Sequence, residues 1–91
     1  MQGIIRSMAT ENVGWQREER FRLVKAAAGV PLTRCHRRFP FEHTSYTPDF
    51  YAPSERIYYE VLGSRARKHQ LIPKLDLMAL VYPKVTLRVV D

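Results

Sequence analysis

Between Thr47 and Gly63 the chain reads Thr-Pro-Asp-Phe-Tyr-Ala-Pro-Ser-Glu-Arg-Ile-Tyr-Tyr-Glu-Val-Leu-Gly. Two aromatic and β-branched runs flank a cluster of turn residues, and that pattern commits the middle of the chain to a β-hairpin. Asp49 follows Pro48 and opens the first run, Pro53 and Ser54 supply the turn, and Ile57 to Leu62 form the second run. Strand alternation sends Tyr58, Glu60 and Leu62 to one face and Tyr59, Val61 and Gly63 to the other, so Glu60 lies in a strand that is almost wholly apolar on both faces. An unpaired carboxylate is costly to bury, and a metal ion or a basic partner is the usual compensation. Antiparallel neighbours hold opposed side chains about 5 Å apart, close enough for Asp49 and Glu60 to share an oxygen-loving cation such as magnesium. Taken one at a time, Asp49 reads as a turn cap and Glu60 as a residue on the wet face of an edge strand.

Punctuation and period place the remaining elements. Residues 16–28 read as a helix ended by Gly29 and Pro31. Phe21, Val24 and Ala28 form its buried stripe, which at about 100° per residue leaves Glu18 on the flank and Glu19 nearly opposite. Glu18 is the better candidate for a buried role, against a solvated pairing with Arg22 at helical spacing. Leu32 to Phe41 reads as one strand carrying Arg34, Arg37 and Arg38, followed by a polar turn at Glu42 to Ser45. The run Ser64 to Tyr82 reads as a second helix with an apolar face of Leu71, Leu75 and Met78, joined by Leu77, Leu80 and Val81. Pro73 suggests that this helix starts afresh there as a first-turn proline, with Arg65 to Ile72 a turn or a short separate helix. Val85 to Val90 supplies a last strand. With a helix crossing over before it, that strand pairs parallel to the Glu60 strand. The expected fold is α/β (α+β), in the order helix, strand, strand, strand, helix, strand: one domain over residues 1–91 with a four-stranded mixed sheet flanked by helices.

Pro48, Asp49 and Glu60 are similar to the signature of the PD-(D/E)XK nuclease superfamily, which is Pro-Asp, a spacer, then Asp or Glu, any residue, and Lys. Leu62 stands where the superfamily has its lysine. A closer likeness is to a phage and intron-encoded homing endonuclease branch, whose strand reads Glu-Val-hydrophobic-Gly-Thr-Arg and leads to a glutamine on the next helix. Glu60-Val61-Leu62-Gly63-Ser64-Arg65 and Gln70 follow it, with Ser64 for threonine. The likeness covers roughly residues 11 to 90. It implies a restriction-endonuclease-like core and a metal-dependent DNA endonuclease. By resemblance Asp49, Glu60 and the Val61 carbonyl hold Mg2+, with Mn2+ able to substitute; Glu18 reaches the metal or its water, Gln70 takes over the role of the missing lysine, and Arg65 lies near the phosphate. Because one small chain presents one site, cutting both strands of a duplex implies a homo-oligomer, at least a dimer. The rival expectation is a nucleic-acid-binding module on the same fold that has lost catalysis, with Leu62 its best support. A third is a basic subunit of a larger assembly.

Charge agrees with a nucleic-acid partner. Fifteen Lys and Arg against nine Asp and Glu give a net +6 in 91 residues, clustered at Arg34, Arg37 and Arg38 and at Arg65, Arg67 and Lys68, with Lys74 beyond. Such clusters attract phosphate backbones without reading bases; the plain alternative is a merely basic surface. No apolar run approaches the length of a membrane span, and the start is too short in its apolar portion for a secretory signal, so a cytoplasmic protein is expected; the resemblance implies a phage or bacterial host cell. Cys35 has no second cysteine to pair with. Cys35, His36 and His43 lack the spacing of a structural zinc site. No glycine-rich phosphate loop or serine nucleophile motif is present. Tyr46, Tyr51, Tyr58 and Tyr59 are chemically suited to stacking on bases, although at strand spacing core or sheet-surface positions fit them better.

Overall fold

Ile57–Val61, the run that carries Glu60, is the central strand of a four-stranded mixed sheet. In the computed structural model the backbone is described for residues 13–63 and 65–90, and side chains for residues 15–63 and 68–90. Among these the order is helix α1 (Val13–Ala27), strands β1 (Thr33–Arg34), β2 (Phe39–Pro40), β3 (Ser45–Tyr46), β4 (Phe50–Ala52) and β5 (Ile57–Val61), helix α2 (Arg65–Val81) and strand β6 (Thr86–Val90). The main sheet runs β1-β4-β5-β6, and β2 and β3 make a separate two-stranded sheet. β4 and β5 form the expected antiparallel hairpin, with Phe50 opposite Tyr59 and Tyr51 opposite Tyr58. β6 returns parallel to β5, with Glu60 beside Val89, as a helical crossover requires. The fold is mixed α+β, with no helix of the described residues long and apolar enough to cross a membrane.

Strand alternation sorts the core into two clusters. Phe50, Ala52, Tyr59 and Val61 join Leu32 on one face, with Phe21 of α1 and Val30 against them. On the other face Leu62 meets Leu71 and Met78 of α2, together with Phe39 and Tyr46 from the small sheet. Phe39 and Phe50 are both fully buried, one in each cluster, so each layer has an aromatic anchor burying a large apolar area.

Three expectations need correction. The strand expected over Leu32 to Phe41 is two short strands in different sheets. β1 pairs with β4, whereas β2 pairs with β3. The chain changes layers between them because Leu32 is needed under α1 and Phe39 under α2, and the intervening His36, Arg37 and Arg38 are exposed. Second, α2 does not restart at Pro73, which lies inside a continuous 17-residue helix. The proline is on the exposed side; the lost hydrogen bond, nominally about 3 kcal/mol, is offset by Leu71 and Met78, buried on either side of it. The apolar face of that helix is narrower than expected, since Leu80 is 78% and Val81 48% exposed. Third, the sheet-facing stripe of α1 is not Phe21, Val24 and Ala28. Val24 is 61% exposed, and the half-buried positions are Glu18, Glu19, Phe21, Arg22 and Lys25, of which 18, 21, 22 and 25 make an i, i+3, i+4, i+7 set. Three of the four residues of that set are charged, and Glu18 is one of them.

α1 ends as its sequence suggests. Val30 N–H reaches back to Lys25 O at 2.8 Å and Gly29 N–H to Ala26 O at 3.0 Å, with Gly29 at φ 85°. This is a Schellman closure, which wants glycine at its left-handed position. In the β4–β5 turn the left-handed position falls on Arg56, at φ 59°, while Ala52 O accepts from both Glu55 and Arg56 N–H.

Candidate functional site

Asp49 stands where the hairpin ladder stops being regular. Continued past Phe50 and Tyr59, the ladder would set Asp49 opposite Glu60. Instead Asp49 N–H donates to Tyr59 O at 3.0 Å, Asp49 O accepts from Cys35 N–H at 3.0 Å, and the carboxylate Oδ2 accepts the Val61 N–H at 2.8 Å. Pro48 before it is fully buried and fixes the backbone entering this position. Asp49 is thus tied to β1, to β5 and, through its side chain, to the residue that follows Glu60.

Glu18 comes to meet it from α1. Burial, then a hydrogen bond to the Asp49 carboxyl and the repulsion of its charge, raise the Glu18 carboxyl above its ordinary value, with Arg34 opposing. Arg34 Nη1 donates to Glu18 Oε1 at 3.1 Å, and its guanidinium lies 4.6 Å from the centre of the Phe50 ring. Two carboxyls this close repel each other when ionised, the electrostatic situation that a cation relieves. Glu19 has a different fate: Arg22 bonds to it, with one contact at 3.1 Å, and this lowers its carboxyl. The Glu18–Arg22 pairing considered from helical spacing is therefore not formed.

Glu60 anchors a second group. Its side chain is 1% exposed, and Tyr46 OH donates to its Oε1 at 2.6 Å, a charge-assisted bond of the short kind. Glu60 opens onto a cleft of about 370 Å3 lined by Tyr46, Thr47, Gln70, Leu71 and Lys74. Gln70 and Lys74 are four residues apart on α2 and so share a helix face. Leu62, on the same side of β5, is 4% exposed and packs with Leu71 and Met78, so it is a core residue.

The expected residues therefore form two groups linked at the end of β5. Glu18, Asp49 and Arg34 meet on one side; Glu60, Gln70 and Lys74 meet on the other; the Asp49–Val61 bond joins them. Among the described residues no three His, Cys, Asp or Glu side chains cluster tightly enough to hold a metal ion. Glu18, Asp49 and Glu60 are hard oxygen donors of the kind a divalent cation takes, divided between the two groups and not gathered at one point.

The basic residues divide likewise. Arg34 is spent partly on Glu18, Arg37 bonds to Tyr58 OH at 3.1 Å, Arg38 and Lys68 are exposed, and Lys74 lines the cleft. The side chains of Arg65 and Arg67, and all of Ser64, lie outside the described residues. Burial raises the Cys35 thiol above its ordinary value, which leaves it a packing residue and not a nucleophile. One participant was missed in the sequence, Tyr46 as partner of Glu60, while Lys74, expected as a basic residue that attracts phosphate, lines the cleft beside Gln70. Lys74 had a usable signal in its spacing from Gln70; Tyr46 had none, because β3 belongs to the second sheet. No protein-family model matches the chain, and no curated protein or solved structure is significantly similar to it.

Proposed function

We propose that the chain is a metal-dependent DNA endonuclease, hydrolysing phosphodiester bonds at the end of β5. The observation that carries this reading is the convergence of Glu18 with Asp49 beside a fully buried Glu60, in a basic protein whose Gln70 and Lys74 open onto the same cleft as that glutamate. Asp49, Glu60 and the Val61 carbonyl would hold Mg2+ or Mn2+, with Glu18 completing the oxygen donors. The ion would supply Lewis-acid polarisation of the phosphate and a more acidic bound water. Gln70 orients water by hydrogen bonding, and Lys74, a cation on the cleft wall, stabilises charge developing on phosphate oxygens, which Leu62 cannot do. Arg38 and Lys68, both exposed, guide the DNA backbone, with Arg67 assigned to the same work from sequence and Arg65 to the charge developing on the phosphate. Cutting both strands of a duplex requires a second copy of the chain; light scattering on a protein that makes double-strand breaks should report a dimer or larger.

The variants that test this are Asp49→Asn and Glu60→Gln. Alanine would remove the acceptor of the Val61 N–H or leave a hole at a fully buried position, confounding chemistry with folding. Both conservative variants should keep the fold and DNA binding while losing cleavage. Retained cleavage in either would overturn the assignment.

A second reading, a nucleic-acid-binding module without catalysis, is favoured by one observation, the burial of Leu62 in the core at the place of the expected lysine. It predicts DNA binding of equal strength in chelator and in magnesium, with no cleavage in either.

A further inference from the structure

Tyr58 and Glu60 lie on the same face of β5, two residues apart, so about 7 Å separates them along the strand. Tyr58 does not close the core as Tyr46 and Tyr59 do. It is half-buried, as is its cross-strand partner Tyr51. The two rings are 4.5 Å apart between centroids and tilted by 38°. Phe39 abuts Tyr58 edge-on at 5.3 Å. Arg37 is exposed, lies 4.5 Å from the Phe39 ring and donates Nη1 to Tyr58 OH at 3.1 Å. The result is a row of π-surfaces and one guanidinium held in place before anything binds, with exposed Arg38 and His36 beside it.

We propose that this row, Tyr51, Tyr58 and Arg37, is a stacking platform for unpaired bases of a DNA strand, one step along the chain from the phosphate facing Glu60. The inference rests on the nuclease reading and narrows its substrate to DNA with a single-stranded segment at the cut. The occupant follows from chemistry: flat π-faces accept any base, and a positive flank follows the backbone, the combination by which single strands are held without regard to sequence. Paired bases stack on each other and offer no free face to Tyr51. Bidentate reading of base edges is not what the surface is built for, because the Arg37 guanidinium is engaged with Tyr58 and Phe39.

The test is fluorescence anisotropy of labelled oligothymidine, a duplex of equal length and an abasic oligomer of equal length, measured in chelator with the full chain and with Tyr51→Ala and Tyr51→Phe. Tyr51 is half-buried and is not part of the acidic site. Tyr51→Ala should weaken oligothymidine binding about 5- to 150-fold and leave duplex binding within about twofold, while Tyr51→Phe restores the affinity. The abasic oligomer should bind the wild-type protein as weakly as oligothymidine binds Tyr51→Ala. Unchanged oligothymidine binding in Tyr51→Ala, or equal loss on duplex, would overturn the platform while leaving cleavage to stand or fall separately. A wild-type protein that binds none of the three would overturn the platform together with the nuclease reading.

Discussion

Replacing Tyr46 by phenylalanine removes one oxygen atom from a position 5% exposed, against a carboxylate 1% exposed. The lost bond is the 2.6 Å donation from Tyr46 OH to Glu60 Oε1. Hydrogen bonds to charged groups contribute about 1.5–3 kcal/mol, and losing the hydroxyl removes one such partner from a carboxylate that is almost wholly buried. The ring stays, so no cavity forms. A loss of about 2 kcal/mol is expected, which lowers Tm by about 8–16 °C in a domain of this size. Urea unfolding of wild type, Tyr46→Phe, Glu60→Gln and the double variant forms a cycle whose coupling should be about 1 kcal/mol, because glutamine keeps the acceptor and loses the charge. A Tyr46→Phe cost below about 0.5 kcal/mol, the range of an ordinary surface change, would refute the claim that this hydroxyl holds Glu60. Under the nuclease reading the same variant should also alter the magnesium concentration needed for cleavage, since Glu60 is held by Tyr46 on one side and is offered to the metal on the other.

Glu18→Gln should raise Tm at neutral pH. The folded-state carboxyl is raised above its ordinary value of 4.5 by burial and by Asp49, so the contribution of Glu18 to stability is fully present below that pH and is lost as pH rises through the raised value; the gain of the variant should vanish in acid, and a pH-independent difference would contradict the pairing. Lys74→Ala should cut the cleavage rate at least tenfold and weaken DNA binding only a few-fold, measured by single-turnover kinetics beside anisotropy; equal losses in both would make it a backbone contact only. Arg56→Gly should stabilise by about 1 kcal/mol in chemical denaturation, because a non-glycine residue at φ 59° bears a steric cost that glycine does not.

The hairpin and the parallel last strand were legible because their signals are local: alternation, turn residues, and a helix of sufficient length between β5 and β6. The burial of Glu60 could be read for the same reason, since a strand with apolar neighbours on both faces is a central strand. The split of the Leu32 to Phe41 run was not legible. Nothing between Arg34 and Phe39 breaks a strand, and the break arises because Leu32 and Phe39 fill cores on opposite faces of the sheet. The stripe of α1 was misplaced by counting apolar residues. Val24 and Leu23 are exposed, at 61% and 55%, while Lys25 turns inward, its Nζ donating to Tyr59 OH at 3.1 Å and to Glu55 Oε2 at 3.2 Å. A charged residue inside the stripe is invisible to a hydrophobic pattern. The same blindness put Glu18 on the flank, whereas it is the glutamate that meets Asp49. Asp49 was expected in the ladder facing Glu60, and it left the ladder to take the Val61 N–H and meet Glu18, a departure that depends on hydrogen bonds from β1 and β5 and has no sequence signature.

The central claim is that these carboxylates serve cleavage of DNA with a divalent ion. Purified protein incubated with supercoiled plasmid in magnesium, in manganese and in chelator, beside Asp49→Asn, tests it most directly. Nicking is expected in either metal, none in chelator, and none by the variant although it still folds and binds DNA. Plasmid left intact by wild-type protein in both metals, with DNA bound equally well in chelator, would contradict it.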